Sequence, residues 1–183
     1  MALALLAASV VCTPASAQAL PKVKVQTSMG SFVIELEAQR APLSVANFLE
    51  YVRNGHYEGT IFHRVIANFV AQGGGFDTKF VEKPVGAKVP NESGNGLSNR
   101  RGTVGLARTG EPHSANAQFY INLSDNPPLD PQASRWGYTV FGRVTEGMDI
   151  VDAIGSVATS TSGQFSGDVP VKPIIILKVE ELK

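Results

Sequence analysis

The sequence predicts a mainly β protein: a closed, eight-stranded antiparallel barrel capped by two α-helices. Three observations lead to this fold class. Short segments with apolar residues at every second position recur along the chain, which is the pattern of half-buried strands. The connections between them are rich in Gly, Asn, Ser and Pro. Strands and helices do not alternate regularly, so an antiparallel barrel is favoured over a parallel sheet.

Eight segments carry the strand pattern. The first two are expected to form a hairpin, because a Ser-Met-Gly turn separates two short β-rich runs. The later strands are separated by long polar connections, notably residues 86–102 and 124–137. The expected strands cover residues 22–27, 31–37, 61–66, 69–72, 103–107, 119–123, 138–144 and 174–180.

Two helices interrupt the strand pattern. The first is expected to begin at Pro42, since proline is favoured at a helix start, and to end at Asn54-Gly55. Its apolar residues recur at helical spacing and predict a core-facing stripe: Val45, Phe48, Leu49 and Val52. The second helix is expected over residues 146–154. The polar stretch 156–167 is interpreted as a surface loop, and Gly73-Gly74-Gly75 as a tight turn of the barrel.

Composition narrows the function classes. The chain has 183 residues, a net charge of zero and 43% apolar residues, which suits a single domain with a real core. Basic residues do not cluster, so no nucleic-acid partner is expected. The three histidines are isolated in sequence, so no metal site is expected either.

The first residues differ from the rest of the chain. Residues 1–17 contain a short apolar run without charge, followed by Ala15-Ser16-Ala17, a small-residue cleavage pattern. This is typical of a signal peptide, and the run is too short to cross a bilayer. We therefore expect cleavage after residue 17, a mature domain over 18–183 that is periplasmic or secreted, and no membrane association afterwards. The single cysteine, Cys12, would leave with the leader.

Residues 62–74, FHRVIANFVAQGG, form the densest candidate for a functional site. Strand alternation places Phe62, Arg64 and Ile66 on one face and turns His63 away, so His63 is interpreted as structural. Ala67-Asn68 can reverse the chain, which brings Gln72 onto the neighbouring strand. A guanidinium, an amide and apolar side chains can thus meet. From spacing alone, an ordinary amphipathic hairpin with a surface arginine remains an equal alternative.

This segment closely resembles the signature of the cyclophilins. Three further stretches resemble family motifs in the same order: GLART at 105–109, AQFYIN at 117–122, and Leu129-Asp130 followed by YTVFGRV at 138–144. The resemblance runs from about Val23 to the C-terminus. It implies a cyclophilin-like barrel and a peptidyl-prolyl cis-trans isomerase of the bacterial periplasmic type, which needs no cofactor.

The resemblance also implies the roles of individual residues. Arg64 would be the catalytic group. Gln72 and Gln118 would orient it and the substrate, the backbone of Arg108 would hold the residue before proline, and Ala107 and Thr109 would line the neighbouring groove. The proline pocket and its edge would be formed by Ile66, Phe69, Val70, Tyr120 and Leu129, with Tyr138 where many members have His.

Three residues depart from the family pattern. Tyr120 stands where Phe is usual, Pro128 where many eukaryotic members have Trp, and Gly75 where Asp is usual. In members with Trp at that position, the indole is expected to pack on cyclosporin and to donate a hydrogen bond to it. Because proline offers neither the ring nor the N–H donor, cyclosporin binding is expected to be weak. Gly75 is interpreted as structural.

The expected partners are proline-containing peptides and unfolded or newly exported proteins, bound by a monomer. Within the same barrel, a non-catalytic proline-peptide binding module is the alternative to an enzyme. The presence of Arg64 favours the enzyme. A serine hydrolase is disfavoured because no Gly-x-Ser-x-Gly motif is present.

Overall fold

The computed structural model describes residues 19–182. The predicted signal peptide, including Cys12, lies outside these residues. The elements in chain order are β1 (Lys22–Thr27), β2 (Gly30–Leu36), α1 (Pro42–Arg53), β3 (Thr60–Ile66), β4 (Val70–Asp77), β5 (Thr103–Leu106), β6 (Phe119–Asn122), a single 3-10 turn (Pro127–Leu129), β7 (Val140–Glu146), α2 (Met148–Gly155), β8 (Thr159–Ser162), β9 (Phe165–Pro170) and β10 (Ile176–Leu182).

Eight of the strands form one antiparallel sheet in the order β10-β1-β2-β7-β5-β6-β4-β3. The mainly β, two-helix fold class is therefore confirmed. Closure of the barrel is not confirmed, because the sheet has two edges, β10 and β3. Within residues 19–182, these edges are joined by a bridge between Ile61 and Ile175 and by hydrogen bonds from Gly59 N to Ile176 O and from Phe62 N to Ile174 O, and not by a continuous strand pairing. The sheet is an open half-barrel.

Helix α1 packs its apolar stripe into the core beside β7 and β10. It starts at Pro42 and buries the predicted stripe, which includes Phe48 at 0% exposure. The Phe48 ring packs on three other core rings with centroid distances of 5.1–5.7 Å, those of Tyr57, Phe119 and Phe141. Fully buried aromatic rings each remove a large apolar area from water, so this cluster is the centre of the core.

The start of α1 is capped from a distant part of the chain. Ala41 stands at the N-cap position and offers no side-chain hydrogen bond. The carboxylate of Glu92 instead accepts hydrogen bonds from Leu43 N at 3.1 Å, from Ser44 N at 2.8 Å and from Ser44 Oγ at 2.6 Å. A negative charge also suits the positive end of the helix dipole. This contact ties the loop before β5 to the helix.

The segment 156–167 is not the surface loop that its composition predicted. Strands β8 and β9 pair antiparallel as a two-stranded ribbon that packs against β3. Phe165 of the ribbon meets the rings of His63, Phe76 and Phe80 at centroid distances of 5.2–6.0 Å. One aromatic residue in a Ser/Thr/Gly-rich stretch thus anchors a structured element.

Two further local expectations were wrong. Gly73-Gly74-Gly75 lies inside β4 rather than in a turn. At Gly73 and Gly74 a Cβ atom would approach side chains of Phe62, Tyr57 and Phe119 to 3.1 Å or less, so glycine permits close packing there. Irregular pairing of β3 with β4 between Phe62 and Arg64 also breaks the expected alternation. Phe62 therefore joins the core, while Arg64 borders a surface cavity.

Candidate active site

Strands β3, β4 and β6, the segment that follows β5 and the turn at 127–129 surround a cavity of about 280 Å³. Nine of the twelve predicted site residues line it: Arg64, Phe69, Val70, Gln72, Ala107, Arg108, Tyr120, Leu129 and Tyr138. A smaller adjoining cavity, about 160 Å³, shares Gln72, Ala107 and Arg108 and is also lined by Thr109 and Gln118. The twelfth residue, Ile66, lies half-buried at the end of β3 and lines neither cavity.

The Asn68 turn brings Arg64 and Gln72 together. Asn68 has a φ of +58°, a left-handed conformation that asparagine tolerates, and Arg64 pairs with Gln72 across β3 and β4. Arg64 Nη1 lies 3.5 Å from Gln72 Oε1, and Gln72 Nε2 donates to Gln118 Oε1 at 3.0 Å. A chain of two amides therefore runs behind the guanidinium and connects the two cavities.

Gly75 explains why Gln118 can lie in this chain. A Cβ atom at Gly75 would come within 2.6 Å of the Gln118 side chain. A residue with a side chain at position 75 would therefore require the Gln118 side chain to shift from the position it has here. This geometry is consistent with the interpretation of Gly75 as structural, because Gln118, which lines the smaller cavity, occupies the space that a side chain at position 75 would need.

The hydroxyl of Tyr120 is directed away from the apolar wall of the cavity. Tyr120 is 4% exposed and its hydroxyl donates to Asn99 Oδ1 at 2.6 Å. Burial raises the pKa of Tyr120 well above its usual value, which keeps the hydroxyl protonated. The hydroxyl end of the ring also lies against Gly105, where a Cβ atom would overlap it. Tyr120 can thus present a phenylalanine-like ring to the cavity.

A buried polar network that the sequence did not reveal supports this wall. Asn99 is 1% exposed, and its Oδ1 also accepts from Asn122 Nδ2 at 3.2 Å. Asn99 Nδ2 and its backbone N both donate to Asp130 Oδ1, at 2.9 and 2.7 Å. Asn126 Nδ2 donates to Asn122 Oδ1 at 2.7 Å and to Phe69 O at 2.9 Å. No local pattern distinguishes these asparagines from turn residues, so only the folded structure identifies them.

The Arg108 side chain is held in place, whereas its backbone is available. The guanidinium lies 4.4 Å from the Tyr138 ring centroid, a cation–π distance. It also donates to the carbonyls of Thr109, Trp136 and Gly137 at 2.9–3.2 Å. Among residues 19–182, no partner hydrogen-bonds the backbone N–H or C=O of Arg108. These two groups can therefore bind an extended peptide.

His63 takes no part in either cavity. It is 2% exposed and packs against the rings of Phe76 and Phe165 at 4.7 and 5.4 Å. Burial, together with the neighbouring Arg64 charge, lowers its pKa to about 4. Its Nδ1 has no hydrogen-bond partner within the described part of the chain. These features agree with a structural residue and not with an acid–base catalyst.

A larger cleft of about 530 Å³ lies elsewhere, between the β1–β2 turn and residues 157–174. Its lining is mostly apolar, with Lys172 as its one charged side chain, so it lacks a convergent polar group. Across residues 19–182, no three His, Cys, Asp or Glu side chains gather as metal ligands, and no helix is long and apolar enough to span a bilayer.

Comparison with known proteins identifies the family. The family model described as "Cyclophilin type peptidyl-prolyl cis-trans isomerase/CLD" matches residues 22–181, nearly the whole described chain. The chain belongs to the cyclophilin family. The resemblance seen in the four sequence motifs is therefore confirmed, and this cyclophilin is a peptidyl-prolyl cis-trans isomerase.

Bacterial relatives agree with this assignment. The cyclophilin is 53% identical over 157 residues to a peptidyl-prolyl cis-trans isomerase of Streptomyces antibioticus, covering 84% of this chain and 94% of the relative. It is 49% identical over 166 residues to one of Acinetobacter baylyi, covering 91% and 88%. Isomerase B of Escherichia coli is 48% identical over 156 residues, covering 84% and 94%.

A solved structure supports the fold. The cyclophilin-type isomerase of Cryptosporidium parvum matches with a TM-score of 0.73 at 26% identity, over 90% of this chain and 98% of that one. A second crystal structure of that protein, in the presence of the dipeptide Ala-Pro, matches with a TM-score of 0.71 at 26% identity, over 88% and 99%.

The weak cyclosporin binding expected from Pro128 stays a prediction.

Proposed function

We propose that this cyclophilin catalyses cis/trans isomerisation of the X–Pro peptide bond in the 280 Å³ cavity, with Arg64 as the catalytic group. The observation that carries the proposal is the position of the Arg64 guanidinium beside the apolar and aromatic part of this cavity. The second guanidinium at the cavity, that of Arg108, is already bound by backbone carbonyls and the Tyr138 ring. The proline ring binds against the apolar wall, formed by Phe69, Val70, Tyr120 and Leu129, with Ile66 at its edge. Gln72 and Gln118 orient the guanidinium and the peptide.

The chemistry requires only a positioned donor. The X–Pro bond resists rotation because the nitrogen lone pair is delocalised into the carbonyl, which gives a barrier of roughly 20 kcal/mol. In the twisted state the lone pair is localised on nitrogen and can accept a hydrogen bond. A guanidinium aimed at that nitrogen binds the twisted state better than the planar one, which is the condition for catalysis. No bond is broken and no cofactor takes part.

The second cavity suits the peptide on the N-terminal side of proline. The free backbone groups of Arg108 can pair with the residue before proline, and Ala107 and Thr109 line the groove beyond it. Proline-containing peptides are therefore the proposed substrates. The Cryptosporidium parvum cyclophilin structure with Ala-Pro supports this substrate class by analogy.

The catalytic role of Arg64 is tested by comparing the activity of Arg64→Ala with that of His63→Gln in the same proline-peptide assay. Loss of a donor that acts mainly on the twisted state should lower kcat and kcat/KM by about a hundred- to a thousandfold with little change in KM. Arg64→Lys should recover only part of the rate, because an ammonium lacks the planar fork. His63→Gln should keep far more activity, with the fold of each variant checked by circular dichroism. Full activity in Arg64→Ala would refute the mechanism.

We further propose that the protein is exported and assists the folding of exported proteins. The support is the sequence of residues 1–17, with its apolar run and the Ala15-Ser16-Ala17 pattern. The native protein should begin near Gln18 and be found in the periplasm or the medium. N-terminal sequencing of native protein checks this, and recovery of Met1 from a cytosolic fraction would contradict it.

A further inference from the structure

The β8–β9 ribbon carries an acidic residue to the edge of the catalytic cavity. Asp168 lies in β9 with a φ of +64°, and the register of the ribbon is irregular between Ser160 and Ser162. An irregularity of this kind redirects a side chain, and aspartate tolerates the left-handed conformation better than most residues. The next residue, Val169, is 2% exposed and fixes the strand beside it.

The carboxylate of Asp168 faces the guanidinium of Arg64. Oδ2 of Asp168 lies 3.8 Å from Nε of Arg64, and the two side chains are 46% and 39% exposed. The opposite side of the same guanidinium, at Nη1, faces Gln72 Oε1 at 3.5 Å. Arg64 is thus approached from two elements that are far apart in sequence, β4 and β9.

The ribbon that supplies Asp168 is itself held firmly against β3. Phe165 packs on His63 and Phe76 at centroid distances of 5.4 and 5.2 Å. Gln164 Nε2 donates to Phe80 O at 3.2 Å, and a Cβ atom at Gly163 would come within 2.8 Å of the Phe80 ring. Close packing at these points makes the ribbon a rigid support and not a mobile loop.

We propose that Asp168 is a positioning residue for Arg64 in the isomerase reaction. Its carboxylate holds the Nε side of the guanidinium, so that the terminal nitrogens stay directed at the proline cavity before substrate arrives. An arginine side chain has many rotamers. Restricting them in advance lowers the conformational entropy that is lost when the donor is aligned with the proline nitrogen. This inference rests on the proposed catalytic role of Arg64.

The pair contributes to rate far more than to stability. Both side chains are partly exposed and the N–O distance exceeds that of a direct hydrogen bond, so the free energy of unfolding should hardly depend on it. A role in positioning and a role in folding can therefore be separated by experiment. Replacing a merely structural residue would lower the melting temperature and would not lower kcat selectively while KM stays unchanged.

Asp168→Asn is the test variant, because asparagine has the same shape and also tolerates a positive φ. We expect kcat on a proline peptide to fall between about threefold and tenfold, with KM changed by less than about twofold and the melting temperature unchanged. The matched control is Asp152→Asn. Asp152 pairs with Arg101 at 2.7 Å with a side chain 48% exposed, away from both cavities. It should keep the wild-type kcat.

Two further measurements connect the effect to Arg64. At about 1 M salt the screening length is about 3 Å. The kcat of the wild type and of Asp152→Asn should therefore fall toward that of Asp168→Asn, whose own kcat should change little with salt. In an Arg64→Ala background, assayed at raised enzyme concentration, Asp168→Asn should cause no further loss.

The outcomes separate the inference from the mechanism on which it rests. Equal kcat values for Asp168→Asn and Asp152→Asn would overturn the positioning role. An undiminished effect of Asp168→Asn in the Arg64→Ala background would overturn it as well, since Asp168 would then act on something else. Full activity of Arg64→Ala alone would instead refute the catalytic role of Arg64.

Discussion

At the scale of single residues, Tyr120 shows how a departure from the family pattern is accommodated. An extra hydroxyl in an apolar pocket would be costly if it lacked a partner, because a buried unsatisfied group loses its hydration. Here the hydroxyl donates to Asn99 Oδ1 at 2.6 Å on the far side of the cavity wall. The substitution therefore changes the support of the wall and leaves its apolar surface intact.

Tyr120→Phe should lower stability without removing activity. Loss of the hydrogen bond to Asn99 should reduce the free energy of unfolding by about 1 kcal/mol, and Asn99 Oδ1 keeps its bond from Asn122. The value of kcat/KM should stay within about threefold of wild type, because the ring itself remains. Urea denaturation and a peptide assay measure the two effects. A large loss of activity at unchanged stability would mean that the hydroxyl contacts substrate.

At the scale of elements, α1 depends on a residue outside the helix. Ala41 provides no cap, and the helix start is completed by Glu92, 48 residues or more away along the chain. The loop that contains Glu92 is also bound to the residue just before β7, since Glu92 N donates to Thr139 Oγ1 at 2.9 Å. Glu92 therefore connects the helix start through its carboxylate and the segment before β7 through its backbone N–H.

Glu92→Gln should destabilise the protein more than Glu50→Gln. Removal of the charge at the helix start weakens the contacts to Leu43 N and to Ser44, and should cost about 1 kcal/mol of unfolding free energy. Glu50 is an exposed residue of the same helix and serves as the control. Urea denaturation followed by circular dichroism compares the two. Equal losses for both variants would show that Glu92 does not act as a cap.

At the scale of the whole molecule, the β8–β9 ribbon covers one face of the sheet and buries His63. A histidine that stays neutral in the folded protein but takes a proton when unfolded makes stability depend on pH. The pKa of His63 is about 4 when folded, against an ordinary value of 6.5. Between these values the unfolded chain binds more protons, so the contribution of His63 is complete above pH 6.5 and is lost as pH falls toward 4.

Stability should accordingly decline in mild acid by an amount that His63 accounts for. The difference between the two pKa values corresponds to about 3 kcal/mol of unfolding free energy. In His63→Leu this part of the decline between pH 6.5 and 4 should disappear, whereas the exposed His113→Gln should retain it. Denaturation in urea at several pH values provides the comparison. Parallel pH profiles for wild type and His63→Leu would contradict the assignment.

The family resemblance and the local chemistry predicted much of the site. Nine of the twelve predicted residues line one cavity and two more line its neighbour, because the motifs at 62–74, 105–109 and 117–122 lie on strands that are adjacent in the sheet. Ile66 lies outside both linings. The carboxylate of Asp168 and the asparagine network around Asn99 were missed, since their partners come from distant segments and carry no local signal.

Features that depend on short-range periodicity could be predicted from the sequence alone: the two helices, the eight main strands, the core stripe of α1 and the turn at Asn68. Helix and strand positions follow from apolar spacing, which local residues control. Tertiary structure alone decided the open edges of the sheet, the ribbon at 159–170, the irregular pairing that separates Phe62 from Arg64, and the approach of Asp168 to Arg64. These features depend on which side chains meet across the sheet, and such contacts form between residues that are distant in sequence.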